Sequence, residues 1–524
     1  MNPDQYPLTW FSSGPCLSVK SVVKKILQLV LISGASVGVI RAADFPFAEA
    51  TIDDLQARMA AGTLTSHELT AAYLARIAEI DRAGPKLNAI IELNPDALAI
   101  AEKLDAERKA GRVRGPLHGI PVLIKDNIAT ADQMETTAGS LALVGLKPPR
   151  DAHLVTRLRA AGAVLLGKTN LSEWANFRGE RSVSGWSGRG GQTHNPYVLD
   201  RNPSGSSSGS AAAVSANLCV VAIGTETNGS IISPSTVCGV VGFKPTVGLV
   251  SRRGVIPIAA TFDTAGPITR TVRDAALVLA ALAGVDERDP ITQNLPADLA
   301  AKLGLPLSAG ALQGARVGVI RNTGAGRGPT NVMPAALDVL RAAGAEVIDV
   351  GELPGPAGAS SARIDVMLYE MKAGVDAYLA ELGPAASMKT MADVIKFNDE
   401  HWAQEQPLFG QQYFKQAQAK GPLTEPAYLE AREKCWRVSR LEGIDALMEK
   451  HRLDALVGGG AGVAAMAGYP SVIVPFGPLA PLPTGFLFYG RAWSDAKLLA
   501  LAADFEAKTH ARREPKFLPT VEVK

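Results

Sequence analysis

Between Asn202 and Thr246 the chain runs NPSGSSSGSAAAV, then GTETNGSIISPS, then GVVGFKPT, and its chemistry concentrates there. The small residues Gly205, Ser206, Ser207, Ser208 and Gly209 let main-chain amides approach a ligand closely. The alanine-rich run behind them starts a helix whose dipole favours negative charge. Thr227, Asn228, Gly229 and Ser230 form a second glycine-containing turn after an apolar strand, where main-chain N–H groups can converge on an oxyanion. A serine closing such a turn is a natural nucleophile, which singles out Ser230. The bland reading of the same composition is a flexible Ser/Gly-rich loop, and composition alone does not separate the two.

A nucleophilic serine needs a base. Seven histidines are present, His67, His118, His153, His194, His401, His451 and His510, and none stands in a persuasive setting; His194 is nearest the cluster, in an ordinary polar loop. A lysine base must be neutral at working pH, so burial and neighbouring donors must lower its pKa by several units. Lys125 suits this because it directly follows the apolar stretch Val122 to Ile124; the competing reading is a surface lysine at a strand end. Two further motifs mislead. GAVLLGKT, residues 162–169, satisfies the Walker A pattern, but its interior reads as a strand where a phosphate loop needs exposed amides. Gly205-Ser206-Ser207-Ser208-Gly209 satisfies G-x-S-x-G and offers Ser207, but Thr193 to Ser204 supplies no strand before it.

The elements that must hold these residues alternate. Thr51 with Asp54, and Thr65 with Glu68, read as capping boxes opening two helices, and a third helix runs from near Pro95 to Gly111. Strands are expected at 119–125, 163–166, 219–223, 316–320 and 346–350. Helices are expected at 152–161, 209–217 and 334–343, and irregular peripheral helices over 351–422. This is an α/β layout, a single large domain with a central sheet covered by helices, with no linker between Ala50 and Ala507 and no internal repeat. We divide the chain into a leader at 1–43, a catalytic domain at 44–510 and a C-terminal tail at 511–524.

Of 524 residues, 47% are hydrophobic and 20% charged, enough for a large core. Lys+Arg 53 against Asp+Glu 51 gives +2 with no charge blocks, which argues against a nucleic-acid partner. Lys20, Lys24 and Lys25 precede an uncharged stretch from Ile26 to Ile40, which resembles a secretory signal and is too short for a stable membrane span. Cleavage after Ala35 satisfies the small-x-small rule and would bring the net charge to zero; export to the periplasm or beyond is the expectation. Cys16 falls in the leader, and Cys219, Cys238 and Cys435 show neither metal spacing nor an even count for a disulfide framework. They read as buried thiols, and the sequence calls for no metal and no cofactor.

The Lys125 loop (IKDN), the Ser206 cluster (PSGSSSGSAAAV) and the Ser230 turn (TETNGSI) stand in the order and spacing of the amidase signature family. With GFKPTVGLVSRRGVIPI and DTAGPITRTVRDAALVL, the chain most resembles the bacterial peptide amidases of that family, from about Thr51 onward. The resemblance implies the amidase signature fold, with a mixed central β-sheet. It also implies a Ser–Ser–Lys triad of Ser230, Ser206 and Lys125, with a cis peptide at Ser206, so it selects Ser206 over Ser207. Thr227, Asn228, Gly229 and Ser230 would then hold the oxyanion, with Ser207, Thr225 and Asp126 in support. The implied substrate is a peptide or small-molecule amide, cleaved through an acyl-enzyme to acid and ammonia. An aryl or acyl amidase, an esterase, and a non-catalytic amide- or partner-binding member are the alternatives.

Three departures from the family pattern stand out. Glu226 replaces an aspartate, and no arginine follows Ser230, so the ion pair that would support the turn is missing; Asn228 is expected to take the left-handed conformation there. After Val457 the chain runs through Gly458-Gly459-Gly460 straight into Ala467-Gly468-Tyr469-Pro470, shortening a loop that lines the substrate channel in the family.

Overall fold

Thr51 and Thr65 both close the capping boxes that their spacing requires. Each hydroxyl accepts the amide three residues on, and the Asp54 or Glu68 carboxylate returns to the cap's own N–H, opening the helices Ile52–Ala60 and Ser66–Arg76. The computed structural model describes residues 45–321, 332–353, 359–459 and 461–521. The leader with its cleavage position and Cys16 lies outside the described residues. The chain divides into Met1–Ala48, described only as a turn from residue 45 on, and Glu49–Lys524, which contains every element considered below.

Thirteen strands are described: β1 (Ile90–Leu93), β2 (Pro121–Lys125), β3 (Val164–Thr169), β4 (Trp186–Ser187), β5 (Gly191–Gln192), β6 (Val221–Glu226), β7 (Val241–Lys244), β8 (Thr264–Thr269), β9 (Arg316–Ile320), β10 (Glu346–Gly351), β11 (Ala455–Val457), β12 (Ser471–Pro475) and β13 (Gly485–Tyr489). All but β4 and β5, which pair as a hairpin, join one sheet of order β1-β3-β2-β6-β8-β7-β12-β13-β11-β9-β10. The sheet is mixed: β3, β2 and β6 run parallel, β8, β7, β12 and β13 pair antiparallel, and β11, β9 and β10 are parallel again. β2, β3 and β6 are buried throughout, which explains the apolar runs that open them: strands covered on both faces do not alternate.

The Walker-like run is extended where a phosphate loop would bend. Gly167, Lys168 and Thr169 complete β3, and the Lys168 ammonium is spent on the Ile128 carbonyl and Thr136 Oγ1, each at 2.8 Å. The serine cluster feeds the helix Ser208–Ser215, whose eight residues are all buried. Only small side chains fit there: a Cβ on Gly209 would lie 2.1 Å from the Ala89 carbonyl oxygen and 2.5 Å from that of Asn170.

The irregular helical region expected over 351–422 is described from residue 359 as Ser360–Glu381, Met391–Glu400, Trp402–Glu405 and Gln412–Gln418, followed by Pro426–Trp436. These helices enclose a core of their own with Leu143, Ile256, Phe262 and Met466. Trp174 and Phe177 belong to this core, with Trp174 edge-on to Phe414 and Phe177 stacked on Tyr413. The segment set apart as a tail returns to the body of the domain. Arg512 pairs with Glu49 at 2.6 Å, and Leu518 bonds through its main chain to Tyr197 and Leu199. Position 510 therefore ends the last helix, Asp495–Thr509, but not the packing.

Gly209→Ala is expected to destabilise the protein by about 1–3 kcal/mol through overpacking against two main-chain carbonyls that cannot retreat. Urea denaturation compared with wild type measures it.

Candidate active site

Lys125 is the last residue of β2, and Thr225 the penultimate residue of its parallel neighbour β6, so both lie at the carboxyl ends of adjacent parallel strands. This is where open α/β sheets present ligand sites. The Lys125 amine is wholly buried and reaches Ser206 Oγ at 2.8 Å, Thr225 Oγ1 at 2.8 Å and the Thr225 carbonyl at 3.3 Å. Burial dominates its titration and brings the pKa down to about 7, against the opposing pull of Asp263 and Glu226. A buried amine in that range can hold or release a proton at neutral pH.

The peptide bond Gly205–Ser206 is cis, as the resemblance implies. The Ser206 carbonyl accepts the Ser172 amide at 3.1 Å, which anchors the cluster to the loop after β3. Ser207 is tied to the end of β6. Its hydroxyl donates to the Thr225 carbonyl at 3.1 Å and accepts the Thr225 amide at 3.2 Å, while its own amide donates to the Ser230 carbonyl at 3.0 Å. The G-x-S-x-G serine is therefore a brace between β6 and the Ser230 turn. Ser230, 8% exposed, is tied to the serine cluster through the Ser207 amide, and the side-chain hydrogen bond within the trio is the one between Lys125 and Ser206.

The Ser230 turn departs from expectation in two ways. The left-handed residue is Gly229, at φ +86°, and not Asn228. The turn also has a support that needs no arginine: Glu226 Oε2 accepts the amides of Ile231 at 2.7 Å and Ile232 at 3.0 Å. A carboxylate there satisfies orphan donors at the start of the helix Ile232–Val237. The longer glutamate reaches over its own turn, a geometry that residue substitution alone does not announce. Among the turn and loop hydrogen bonds of the described residues none is donated by the amides of Thr227, Asn228, Gly229 or Ser230, which leaves four consecutive donors in the turn that ends at Ser230. Thr227 donates through its hydroxyl to Asp263, which also takes the amides of Ile258 at 2.8 Å and Ala259 at 2.9 Å. Arg363, on the helix Ser360–Glu381, donates to Asn228 Oδ1 at 3.4 Å.

Of the residues expected in support, Thr225 touches Lys125 directly and Ser207 acts as described, whereas Asp126 points elsewhere. Its carboxylate takes Thr137 Oγ1, the Gly139 amide at 3.1 Å and Arg189 at 3.4 Å, so it fixes the 137–139 loop. Consecutive residues leave a strand end on opposite sides, and Lys125 occupies the side facing Ser206. Two residues escaped the sequence reading. Asn127, two places after Lys125, donates to Thr225 Oγ1 at 3.1 Å, and Asp263 pulls on Lys125 from a position that no spacing marked; Glu226, read as a lost ion pair, pulls on it as well. His118 and His194 are spent on the carbonyls of Leu104 and Leu199, and among the described residues no histidine bonds to the trio. Cys219, Cys238 and Cys435 are free and buried, which pushes the Cys219 thiol up to about 12. No cluster of His, Cys, Asp or Glu among the described residues could hold a metal ion.

A deprotonable buried lysine bonded to a serine, next to an amide-lined turn, is equipment for acyl transfer without a histidine. The chain belongs to the amidase family, which it matches over residues 68–499, and it is a hydrolase of carbon–nitrogen bonds in amides. It is similar to the crystal structure of the native peptide amidase from Stenotrophomonas maltophilia, at 52% identity and a TM-score of 0.87 over 90% of this chain and 99% of that one. An amidase family protein from Bacillus anthracis aligns at 34% identity and a TM-score of 0.84, covering 94% and 98%. A probable amidase of Arabidopsis thaliana is 42% identical over 505 residues, 94% of this chain and 96% of the relative. The single mixed α/β domain agrees with these structures.

Glu226→Ala would strip the acceptor from two buried amides. It is expected to lower stability by about 1–3 kcal/mol and amide turnover by about tenfold or more, since it frees the donors around Ser230. Glu226→Gln, which keeps an acceptor oxygen, should recover part of both in parallel melting and rate measurements.

Proposed function

We propose that the protein hydrolyses the terminal carboxamide of peptides, or of similar small acyl amides, to the acid and ammonia. The observation that carries this reading is the buried amine of Lys125, 2.8 Å from Ser206 Oγ with a pKa brought down to about 7. Neutral Lys125 takes a proton from Ser206, and Ser206 takes one from Ser230. The Ser230 oxygen attacks the amide carbonyl, whose developing negative charge meets the amides of residues 227–230. Collapse of the tetrahedral adduct breaks the C–N bond, with Ser206 handing its proton to the departing nitrogen. Water, deprotonated by the same relay, then releases the acid from Ser230. The likeness to a solved peptide amidase at 52% identity supports the choice of substrate class. Export, read from the basic and apolar leader, belongs to the same proposal and calls for N-terminal sequencing of the protein from its native host.

Ser230→Ala is expected to remove turnover by about 10⁴-fold or more, and Lys125→Ala by about 10³-fold or more, because the members of such a unit act together. Ammonia release from a panel of peptide amides, simple amides and esters reads both variants. A Ser230→Ala enzyme with near-wild-type rate ends the proposal, and a panel in which only esters turn over moves the protein to a different leaving group.

The base form of Lys125 exists above its pKa. Turnover should therefore rise with pH, reach half its plateau near the value of about 7, and fall about tenfold per unit below pH 6. A kcat/KM profile that is flat from pH 5 to 9 contradicts this.

A further inference from the structure

Tyr428, Arg432, Trp436 and Arg440 recur every fourth residue along the helix Pro426–Trp436 and its continuation Arg437–Ile444, which places them in one stripe. In the folded chain they form a ladder. The Arg432 guanidinium lies 5.2 Å from the Tyr428 ring centroid and 5.0 Å from that of Trp436; the Arg440 guanidinium lies 4.8 Å from Trp436 and 5.5 Å from Tyr469. All five side chains line a cavity of about 660 Å³, within the range of small-molecule sites, whose other walls include Trp493 and Gly374. Arg252, Ala260 and Gly374 border both this cavity and a smaller one of about 260 Å³ that reaches Thr225 and Thr227.

The polar groups around the larger cavity are unevenly spent. Arg252 is matched by Asp289. Glu370, the carboxylate in the wall, already accepts the Thr261 amide and hydroxyl and the Tyr428 hydroxyl, the last at 2.6 Å. Asp445, outside the wall, accepts the Tyr469 hydroxyl at 2.7 Å. Arg432 donates to Tyr428 Oη at 3.3 Å and Arg440 to the Ala467 carbonyl at 2.7 Å, yet among the described residues neither forms an ion pair. The Trp436 indole N–H is buried with no acceptor among those residues. Along the ladder, what remains unspent is therefore all donor, and two of the three groups are cationic. Burial also works against the charge of Arg440, a cost that an anion alongside would offset.

We propose that this cavity is a second binding site, taking an organic carboxylate on a flat apolar body: the acid group between Arg432, Arg440 and the Trp436 N–H, the body against the aromatic rings. A planar guanidinium matches a carboxylate in two-point geometry, and rings and guanidinium planes favour a flat partner over a bare inorganic anion. Such a group is either the acidic or aromatic distal part of a long substrate or a separate small acid.

Calorimetric titration of the full chain with 2-naphthoate and with the uncharged 2-naphthylmethanol tests the site. Wild type should bind the acid about tenfold more tightly than the alcohol, and Arg432→Gln/Arg440→Gln should erase that preference. Arg432→Lys/Arg440→Lys, which keeps both charges but loses the planar fork, should fall between the two, separating loss of the site from loss of the fold. The substrate arm compares KM for equal-length neutral and acidic peptide amides. A KM rise confined to acidic peptides in the Gln variant supports the distal-substrate source; naphthoate binding without it supports a separate acid. Equal binding of acid and alcohol by wild type, or an unchanged acid preference in the Gln variant, overturns the proposal.

Discussion

The proposed mechanism depends on keeping one amine uncharged inside the protein. A lysine removed from water is pushed toward neutrality by desolvation, and nearby carboxylates push it back. Here burial wins over Asp263 and Glu226, and the balance comes to rest near neutral pH. Lys168 and Lys244 are equally buried, and their pKa values are brought down to about 8. What distinguishes Lys125 is its partners. Lys244 donates to the carbonyls of Pro245 and Tyr469, and Lys168 to the Ile128 carbonyl besides a threonine; a carbonyl can only accept, and so favours the charged form. Lys125 also reaches a carbonyl, that of Thr225 at 3.3 Å, but its two shorter bonds, both 2.8 Å, are to hydroxyls, and a hydroxyl can bond to the amine in either protonation state.

The same constraint explains why the surroundings are built from small and neutral groups. The Ser206 cluster must come within hydrogen-bonding reach of β2 and β6 without admitting water, and the helix behind it buries every residue against strand and loop backbone. The nearby carboxylates are kept occupied: Asp263 by two amides and Thr227, and Glu226 by two amides at the start of the next helix. Each also fixes the turn that carries Ser230. One set of contacts therefore shapes the turn and restrains the electrostatic pull on Lys125.

Much of this was legible in the sequence because its signals are local. The capping boxes at Thr51 and Thr65, the apolar run that ends at Lys125 and the small-residue helix follow from near neighbours, and they fold as the pattern requires. Ser207 illustrates the limit: the motif made it a rival nucleophile, and only the pairing of the cluster with β6 turns it into a brace. Asp126 and Asn127 are neighbours of Lys125, yet one faces a distant loop and the other faces Thr225, a choice made where the strand leaves the sheet. Glu226 read as a lost ion pair because a sequence does not show that its carboxylate curls back onto amides five and six residues ahead.

The division between what was legible and what was not follows the division of the core. Lys125 and Thr225 stand on the sheet, where strand register fixes them, and the Ser206 cluster and Ser230 turn are tied to the end of β6. Much of the lining of the neighbouring cavities comes instead from the 252–265 segment and from helices with their own hydrophobic core, set largely by contacts distant in sequence. Arg363 reaches Asn228 from one of those helices. Gly462, on the helix Ala461–Ala467, comes so near that a Cβ there would lie 3.3 Å from Asn228 Oδ1. The surroundings of the Ser230 turn are thus assembled from segments more than 130 residues apart in the chain. Substitutions in those segments can reshape a pocket while the contact between Lys125 and Ser206 stays intact, so the reaction class is written in local motifs and the choice of amide is not.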